Sequence, residues 1–294
     1  MKYRGYNVYE KNGSVLVEGV SDFDPAQTFD CGQAFRWEAE EDGSYTGVVR
    51  GRAVNISYGE GVMKIENSSL EDFQSIWFDY LDLGADYSAI KSRVSKDGTM
   101  REAIAFGSGI RLLRQELWET LISFIISANN RIPMIRKVIA SICEAYGDEI
   151  RFGGKSRFSF PEPERLSGCS LKNLELCKGG FRCKYILETA KLVAGGQFDL
   201  QGVYSLDREE ARELLVKLPG VGYKVADCTL LFSGTRTDVF PTDVWVKRVM
   251  EELYFKREAS FKEIWRFSRE YFGELAGYAQ EYLFFYAREN RIGA

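Results

Sequence analysis

The chain changes hydrophobic period once, near residue 70, and that switch restricts its fold more than any other feature. Before it, apolar residues recur near period two: Val15, Val17 and Val20, then Val48, Val49, Val54, Ile56, Met63 and Ile65. Turn signals separate the runs at Asn12-Gly13, Asp42-Gly43, Gly51 and Gly59-Glu60-Gly61. Alternation gives each strand one apolar face, and short runs between such turns fold back on one another as an antiparallel sheet. Four to six strands are expected. From Leu70 onward the period is helical. Ser69-Leu70-Glu71-Asp72 offers a helix start, and Phe73, Ile76, Trp77 and Tyr80 follow at helical spacing.

Beyond residue 100 almost the whole chain reads as helix. Helices are expected over 116–127, from Ile132-Pro133 to Tyr146-Gly147, and near 183–195, 209–217, 223–233, 244–254, 261–271 and 276–290. The fold class is therefore α+β. An N-terminal antiparallel β-sheet domain with helices occupies residues 1–100, and a mostly α-helical domain occupies 101–294. A chain of 294 residues, 45% hydrophobic and 28% charged, is long enough for two compact domains and is neither disordered nor fibrous in composition.

Composition then excludes whole classes of chemistry. The chain has no histidine. Ser-His-Asp hydrolysis, Cys-His proteolysis and histidine-ligated zinc are ruled out, so acid–base work falls to carboxylates, lysine, tyrosine or cysteine. The six cysteines are scattered, which fits a reducing compartment. No segment approaches the ~20 apolar residues of a membrane span, and Met1 to Val20 has no apolar signal core. A cytoplasmic protein is expected, nucleoid-associated if bacterial. No metal or other cofactor is implied, and with no heptads a monomer is the default. The net charge of −4 is unevenly spread: residues 1–100 carry 10 basic and 17 acidic residues, and residues 101–294 carry 29 and 26. The larger part can therefore present a local basic surface to a polyanion.

The most informative segment is Leu218-Pro-Gly-Val-Gly-Tyr-Lys-Val-Ala-Asp227. One helix ends at Lys217-Leu218, Pro219-Gly220 turns the chain, Gly222 permits positive φ or close backbone approach, and a second helix starts at Tyr223. Such a helix–hairpin–helix aims bare N–H groups at an anion, and it positions DNA without reading bases. A tight helical turn with no ligand is the alternative. Lys224 falls in the first turn of the second helix, where a cation is disfavoured. Its pKa is expected to fall, freeing the amine as a nucleophile; the alternative is a surface or phosphate-binding lysine. About twenty residues on, Asp243 precedes a helix as an N-cap, and the same carboxylate can hold the lysine's protons or stabilise a cationic sugar.

These motifs together resemble the helix–hairpin–helix DNA glycosylases, and more narrowly the 8-oxoguanine DNA glycosylases with abasic-site lyase activity. The resemblance runs from about Phe29 to Arg288. It rests on Cys31-Gly-Gln-Ala-Phe-Arg-Trp37, Arg111-Leu-Leu-Arg-Gln115, Ser127-Ala-Asn-Asn130, Leu218 to Cys228, Pro241-Thr-Asp243, and Gly277-Tyr-Ala-Gln280 with Phe284. It implies that Lys224 attacks C1′ of the damaged nucleotide and forms a Schiff base that cleaves the strand by β-elimination, with Asp243 as the catalytic carboxylate. It also implies a duplex DNA partner holding oxidised guanine.

The same resemblance implies a base pocket. 8-Oxoguanine carries a proton on N7 that guanine lacks, so a carbonyl acceptor discriminates the two, and Gly32 matches the family glycine that supplies it. Cys228 and Phe284 would sandwich the flipped base, Gln280 would bind its Watson–Crick edge, and Pro241 would line the pocket. Cys228 follows Lys224 by four residues and Phe284 follows Gln280 by four, so each pair shares a helix face. Gly220, Gly222 and Val225 would hold the DNA backbone. Asn129, Asn130, Phe181 and Arg182 would work at the vacated duplex: Asn129 filling it, Phe181 as the aromatic wedge, Arg182 on the orphaned cytosine.

Two positions depart from the family pattern. Met134 stands where eukaryotic members place a second cytosine-reading arginine, which predicts a weaker preference for cytosine opposite the lesion. Trp245 stands where they place a histidine, so a phosphate contact is lost or is remade through the indole N–H. Two rivals remain: a non-catalytic helix–hairpin–helix DNA-binding module, and a glycosylase for another damaged base. No cysteine follows Cys228, so the four-cysteine iron–sulfur loop of some relatives is absent.

Overall fold

The computed structural model describes residues 1–293. Seven strands form one antiparallel sheet: β1 (Lys2–Tyr3), β2 (Tyr6–Lys11), β3 (Ser14–Glu18), β4 (Trp37–Ala39), β5 (Tyr45–Val49), β6 (Arg52–Gly59) and β7 (Val62–Glu66), in the spatial order β1-β2-β3-β7-β6-β5-β4. That is one strand more than expected. The additions are short margins, since β1 has two residues and β4 three. Register follows the apolar alternation. Val15 pairs with Ile65, Ile65 with Ile56, and Ile56 with Tyr45, so one buried row crosses four strands.

Two short helical pieces cover that face. Helix α1 (Pro25–Asp30) stacks Phe29 on Trp37 at 4.0 Å between ring centroids. Residues 70–80, here α2, start at a capping box between Ser69 and Asp72 and bury Phe73 and Trp77. The indole N–H groups of Trp37 and Trp77 reach Tyr80 Oη and Ser68 Oγ, each at 2.8 Å, so neither ring buries an unpaired donor.

The remaining helices are α3 (Tyr87–Val94), α4 (Gly98–Phe106), α5 (Leu117–Ser127), α6 (Ile132–Tyr146), α7 (Pro163–Ser167), α8 (Leu171–Glu175), α9 (Arg182–Ala194), α10 (Arg208–Val216), α11 (Tyr223–Phe232), α12 (Val244–Met250), α13 (Phe261–Phe272) and α14 (Ala276–Glu289). Helix α5 is buried almost all round, which fits its unbroken apolar run, and α6, α9 and α11 pack against it. One departure from the helical expectation is a small hairpin, β8 (Glu149–Phe152) with β9 (Lys155–Phe158). Gly153 and Gly154, both at positive φ, make its turn. Among the described residues, no helix is long and apolar enough to cross a membrane.

Two apolar cores result. The smaller lies under the sheet. The larger gathers the helices and also takes in Cys31, Phe35, Tyr87, Val94 and Met100. The segment joining them runs between the two, with Leu112 in the larger core and Leu113 in the smaller. Gln33 locks this junction. Its buried amide donates to Thr28 O at 2.9 Å and Arg111 O at 2.8 Å, and accepts from Leu113 N at 2.8 Å. Arg111, also buried, donates to Asp82 O and Ser21 O. A buried backbone carbonyl left without such a donor would cost about 1–3 kcal/mol. The junction carries the turn after α1, and with it Gly32, into the helical core.

Candidate active site

The hairpin is built from both sides. Asp207 and Glu210 form a capping box that starts α10, which ends at Val216. Gly220 turns the chain at φ +76°, and a Cβ there would lie 2.6 Å from the Tyr185 ring, so glycine is required twice over. At Gly222, expected to allow positive φ or close backbone approach, φ is −98°, so positive φ is not what it supplies. It is exposed, and no atom within 4 Å would meet a Cβ, so it leaves room for close backbone approach. As the N-cap of α11 it offers no side-chain acceptor, so the first-turn N–H groups of Tyr223, Lys224 and Val225 face outward uncapped. Behind the turn, Arg212 grips Asp227 through two bonds of 2.7 and 3.1 Å, holding α10 to α11.

Lys224 points from α11 into a cavity of about 140 Å³. Its Nζ donates to Ser127 Oγ at 3.3 Å and lies 5.1 Å from the centroid of the Phe124 ring. Among the described residues it makes no ion pair, so no carboxylate immobilises the amine. One helical turn on, Cys228 is buried. Burial pushes its thiol up to about 12, against the opposing pull of the Lys224 charge, so the thiol keeps its proton near neutral pH. Asp243 lines the same cavity. Its Oδ1 accepts from Val246 N at 2.8 Å, the N-cap bond read from the sequence, which leaves its other oxygen free of the cap. Buried Pro241 precedes it in the wall.

The far wall comes from α14 and the turn after α1. Gln280 is buried, and its Oε1 has no partner among the described residues. Phe284 lies one turn beyond it, and the Trp245 ring braces Phe284 edge-to-face with centroids 5.2 Å apart. Trp245, read from sequence as a changed phosphate contact, thus buttresses the wall. Gly32 sits at φ +111°, where a Cβ would come within 3.3 Å of Phe284 and 3.4 Å of Arg288. Arg288 donates to the carbonyls of Cys31 and Asp30, both at 2.8 Å, and so fastens that turn to α14.

A rim beside the cavity gathers the other predicted residues. Asn129 is exposed with φ +51°, Met134 is 46% exposed, and Phe181 is 58% exposed with Tyr185 at its edge. Arg182 ties the rim together by donating to Ala128 O and Asn129 O while lying 4.4 Å from the Phe181 ring centroid. Asn130 faces inward; it donates to Ile126 O and accepts from Arg131 N, joining α5 to α6. Sequence reasoning missed Ser127 as a partner of Lys224, Arg288 as a fastener, and Glu281 in the cavity wall. Ser127 did stand inside a recognised motif. Nothing local marked the other two.

Residues 15–121 match the family described as "8-oxoguanine DNA glycosylase, N-terminal domain", and residues 122–273 match "HhH-GPD superfamily base excision DNA repair protein". The chain belongs to the helix–hairpin–helix 8-oxoguanine DNA glycosylases. Among relatives of this glycosylase, the "Probable N-glycosylase/DNA lyase" of Methanothermobacter thermautotrophicus is 33% identical over 217 residues, covering 67% of this chain and 69% of its own. A solved structure of MBOgg1 with a low-affinity DNA ligand superposes with a TM-score of 0.96 at 49% identity, covering 99% of this chain and all of its own. The Clostridium acetobutylicum 8-oxoguanine glycosylase/lyase, solved with duplex DNA holding cytosine opposite 8-oxoguanine, gives 0.95 at 43% identity, covering 97% of this chain and 99% of its own.

Proposed function

We propose that the chain is a bifunctional DNA glycosylase and abasic-site lyase that removes 8-oxoguanine from duplex DNA in base excision repair. The observation that carries this reading is a single cavity receiving an unpaired lysine amine, a capped aspartate, a glycine with no side chain to obstruct a base, and a glutamine with an unpartnered oxygen. The buried Gln280 oxygen is short of a donor, which the N1–H and N2–H of a guanine-type base supply. Cys228 and Phe284 offer soft, flat faces for its two sides.

In this reading Lys224 Nζ forms a bond to C1′ while the bond from C1′ to N9 breaks and the base departs. The sugar ring opens to a Schiff base. Loss of a proton from C2′ then expels the 3′ phosphate oxygen. Asp243, held by its cap, stabilises the positive charge that develops on the sugar and takes up the proton the amine sheds. The uncapped N–H groups around Gly220, Gly222 and Val225 hold the DNA backbone. Phe181, Arg182, Asn129 and Asn130 support the emptied duplex. Met134, an exposed methionine, donates no hydrogen bond to cytosine, so the preference for cytosine opposite the lesion is relaxed. The protein acts as a monomer.

Borohydride trapping on a duplex with one 8-oxoguanine tests this, with native protein and Lys224→Gln in parallel. A covalent adduct that vanishes in the variant is expected. A trapped Lys224→Gln protein would assign the nucleophile elsewhere.

A further inference from the structure

One ionisable group in the cavity wall has no part in that chemistry. Glu281 follows Gln280 on α14 and is 2% exposed. It lines the same cavity as Lys224, Gly32 and Gln280, yet its Oε1 has no partner and, among the described residues, no cation pairs with it. The groups that face it are few: the buried Tyr282 follows it on α14, raised in turn by burial and by the Glu281 charge. Cys31 lies against the carboxyl from the turn after α1, its own thiol raised by burial and by Glu281. Arg288, on the same helix, has its guanidinium engaged with the Cys31 and Asp30 carbonyls and with Glu289. Lys224 and Cys228 from α11 and Asp243 before α12 line the cavity. Burial pushes the Glu281 carboxyl up to about 7, with Cys31 and Arg288 pulling the other way. A buried, unpaired carboxyl avoids charge by keeping its proton, and it then has a donor to offer.

Its position indicates the acceptor. Around a purine, the atoms met in order are N1, the C6 carbonyl with O6, C5, N7 and C8. Gln280 takes the N1 edge and Gly32 takes N7 in the reading above, on which this step rests. Gly32, Gln280 and Glu281 line one cavity, and the Glu281 carboxyl hydrogen-bonds the side chain of Cys31 beside Gly32, which puts it on the Gly32 side of Gln280, where O6 lies between N1 and N7. We infer that Glu281 is a further specificity-determining residue: its neutral carboxyl donates a hydrogen bond to O6 of the flipped base and so selects 6-oxo over 6-amino purines. An 8-oxoadenine presents an amino group there, and a donor would meet a donor. A ring-opened formamidopyrimidine from guanine keeps the carbonyl and is accepted.

Single-turnover cleavage of three duplexes tests this: one 8-oxoguanine, one 8-oxoadenine, and one preformed abasic site. Native protein, Glu281→Gln and Glu281→Leu are compared over a pH series. The abasic duplex has no base to read, so it reports folding and the other cavity groups. Glu281→Leu should lose about tenfold or more on 8-oxoguanine relative to its abasic cleavage, and its discrimination against 8-oxoadenine should narrow. Glu281→Gln, whose amide donates at every pH, should recover most of the 8-oxoguanine rate. Native protein should show 8-oxoguanine rates, relative to abasic rates, that fall as pH rises past about 7, because the carboxylate then faces O6 lone pairs; Glu281→Gln should not. The inference is overturned if Glu281→Leu keeps the native base preference, if Glu281→Gln loses as much as Glu281→Leu, or if the alkaline fall persists in Glu281→Gln. If native protein forms no borohydride adduct with the 8-oxoguanine duplex, the glycosylase reading fails first; an adduct beside any of the three results overturns only the role of Glu281.

Discussion

The cavity and the rim beside it share loops but not construction. In the cavity, Cys228, Gln280 and Glu281 are almost wholly buried, and each neighbour is held in turn: Phe284 by Trp245, the Gly32 turn by Arg288. On the rim, Met134 and Phe181 stand about half exposed, and little but the Arg182 guanidinium fixes the surface. A cavity side chain therefore serves packing and chemistry together, and changing it disturbs both. A rim side chain can change with little effect on folding. In the proposed reading, chemistry on the damaged base is thus bound to the fold, while discrimination on the opposite strand can drift by single substitutions.

Substitutions on the two sides sharpen that contrast. The largest effect belongs to Lys224→Gln, which should lower excision on the order of 10³-fold or more in single-turnover assays. Next comes Asp243→Asn, expected to slow the chemical step about 10²–10³-fold. Asparagine also caps helices, so calorimetry should find its stability within about 0.5 kcal/mol of native. A large drop in melting temperature would show that the cap, and not the charge, explains the lost rate. On the rim, Phe181→Ala should reduce excision about tenfold, with stability within about 0.5 kcal/mol, since the ring packs on little. Matching losses of stability at Phe181 and at cavity positions would erase the distinction. The smallest effect is a gain. Met134→Arg should raise the preference for cytosine opposite the lesion by about tenfold, from one restored donor pair worth about 1–3 kcal/mol. Excision opposite each of the four bases reads this directly, and an already strong native preference for cytosine would refute the reading of Met134.

Much of this was legible before the fold. Of the helices expected beyond residue 100, all but one lie within a residue or two of their sequence positions, because their apolar spacing and caps are strong local signals; the one expected over 244–254 is α-helical only to Met250 and runs on as a wider π-helical turn to Phe255, and the short α7 and α8 were not singled out. The Asp243 cap and the Gly220 turn were read from short motifs and are present. Weaker signals failed. Strand β2 buries only Val8, so it shows little alternation, and β4 is three residues long. The Gly153-Gly154 turn between β8 and β9 was visible in the sequence and was overlooked within a helical stretch. Gly222 was expected to allow positive φ or close backbone approach; Gly220 bears the positive φ, and Gly222 keeps only the open space.

The sequence by itself determined what depends on neighbours along the chain: which segments are strands or helices, where the hairpin turns, and which pairs one helical turn apart share a face. It did so because backbone geometry ties residues three and four apart to one another. Only the tertiary structure decided that the turn after α1 enters the helical core through the Gln33 junction, that Ser127 receives the Lys224 amine, that Arg182 grips the Asn129 turn, and that Glu281 is shut into the cavity wall with its Oε1 unpartnered among the described residues. Those contacts join segments far apart in the chain. They arise when two apolar cores close against each other, and no local pattern encodes which side chains that closure leaves face to face.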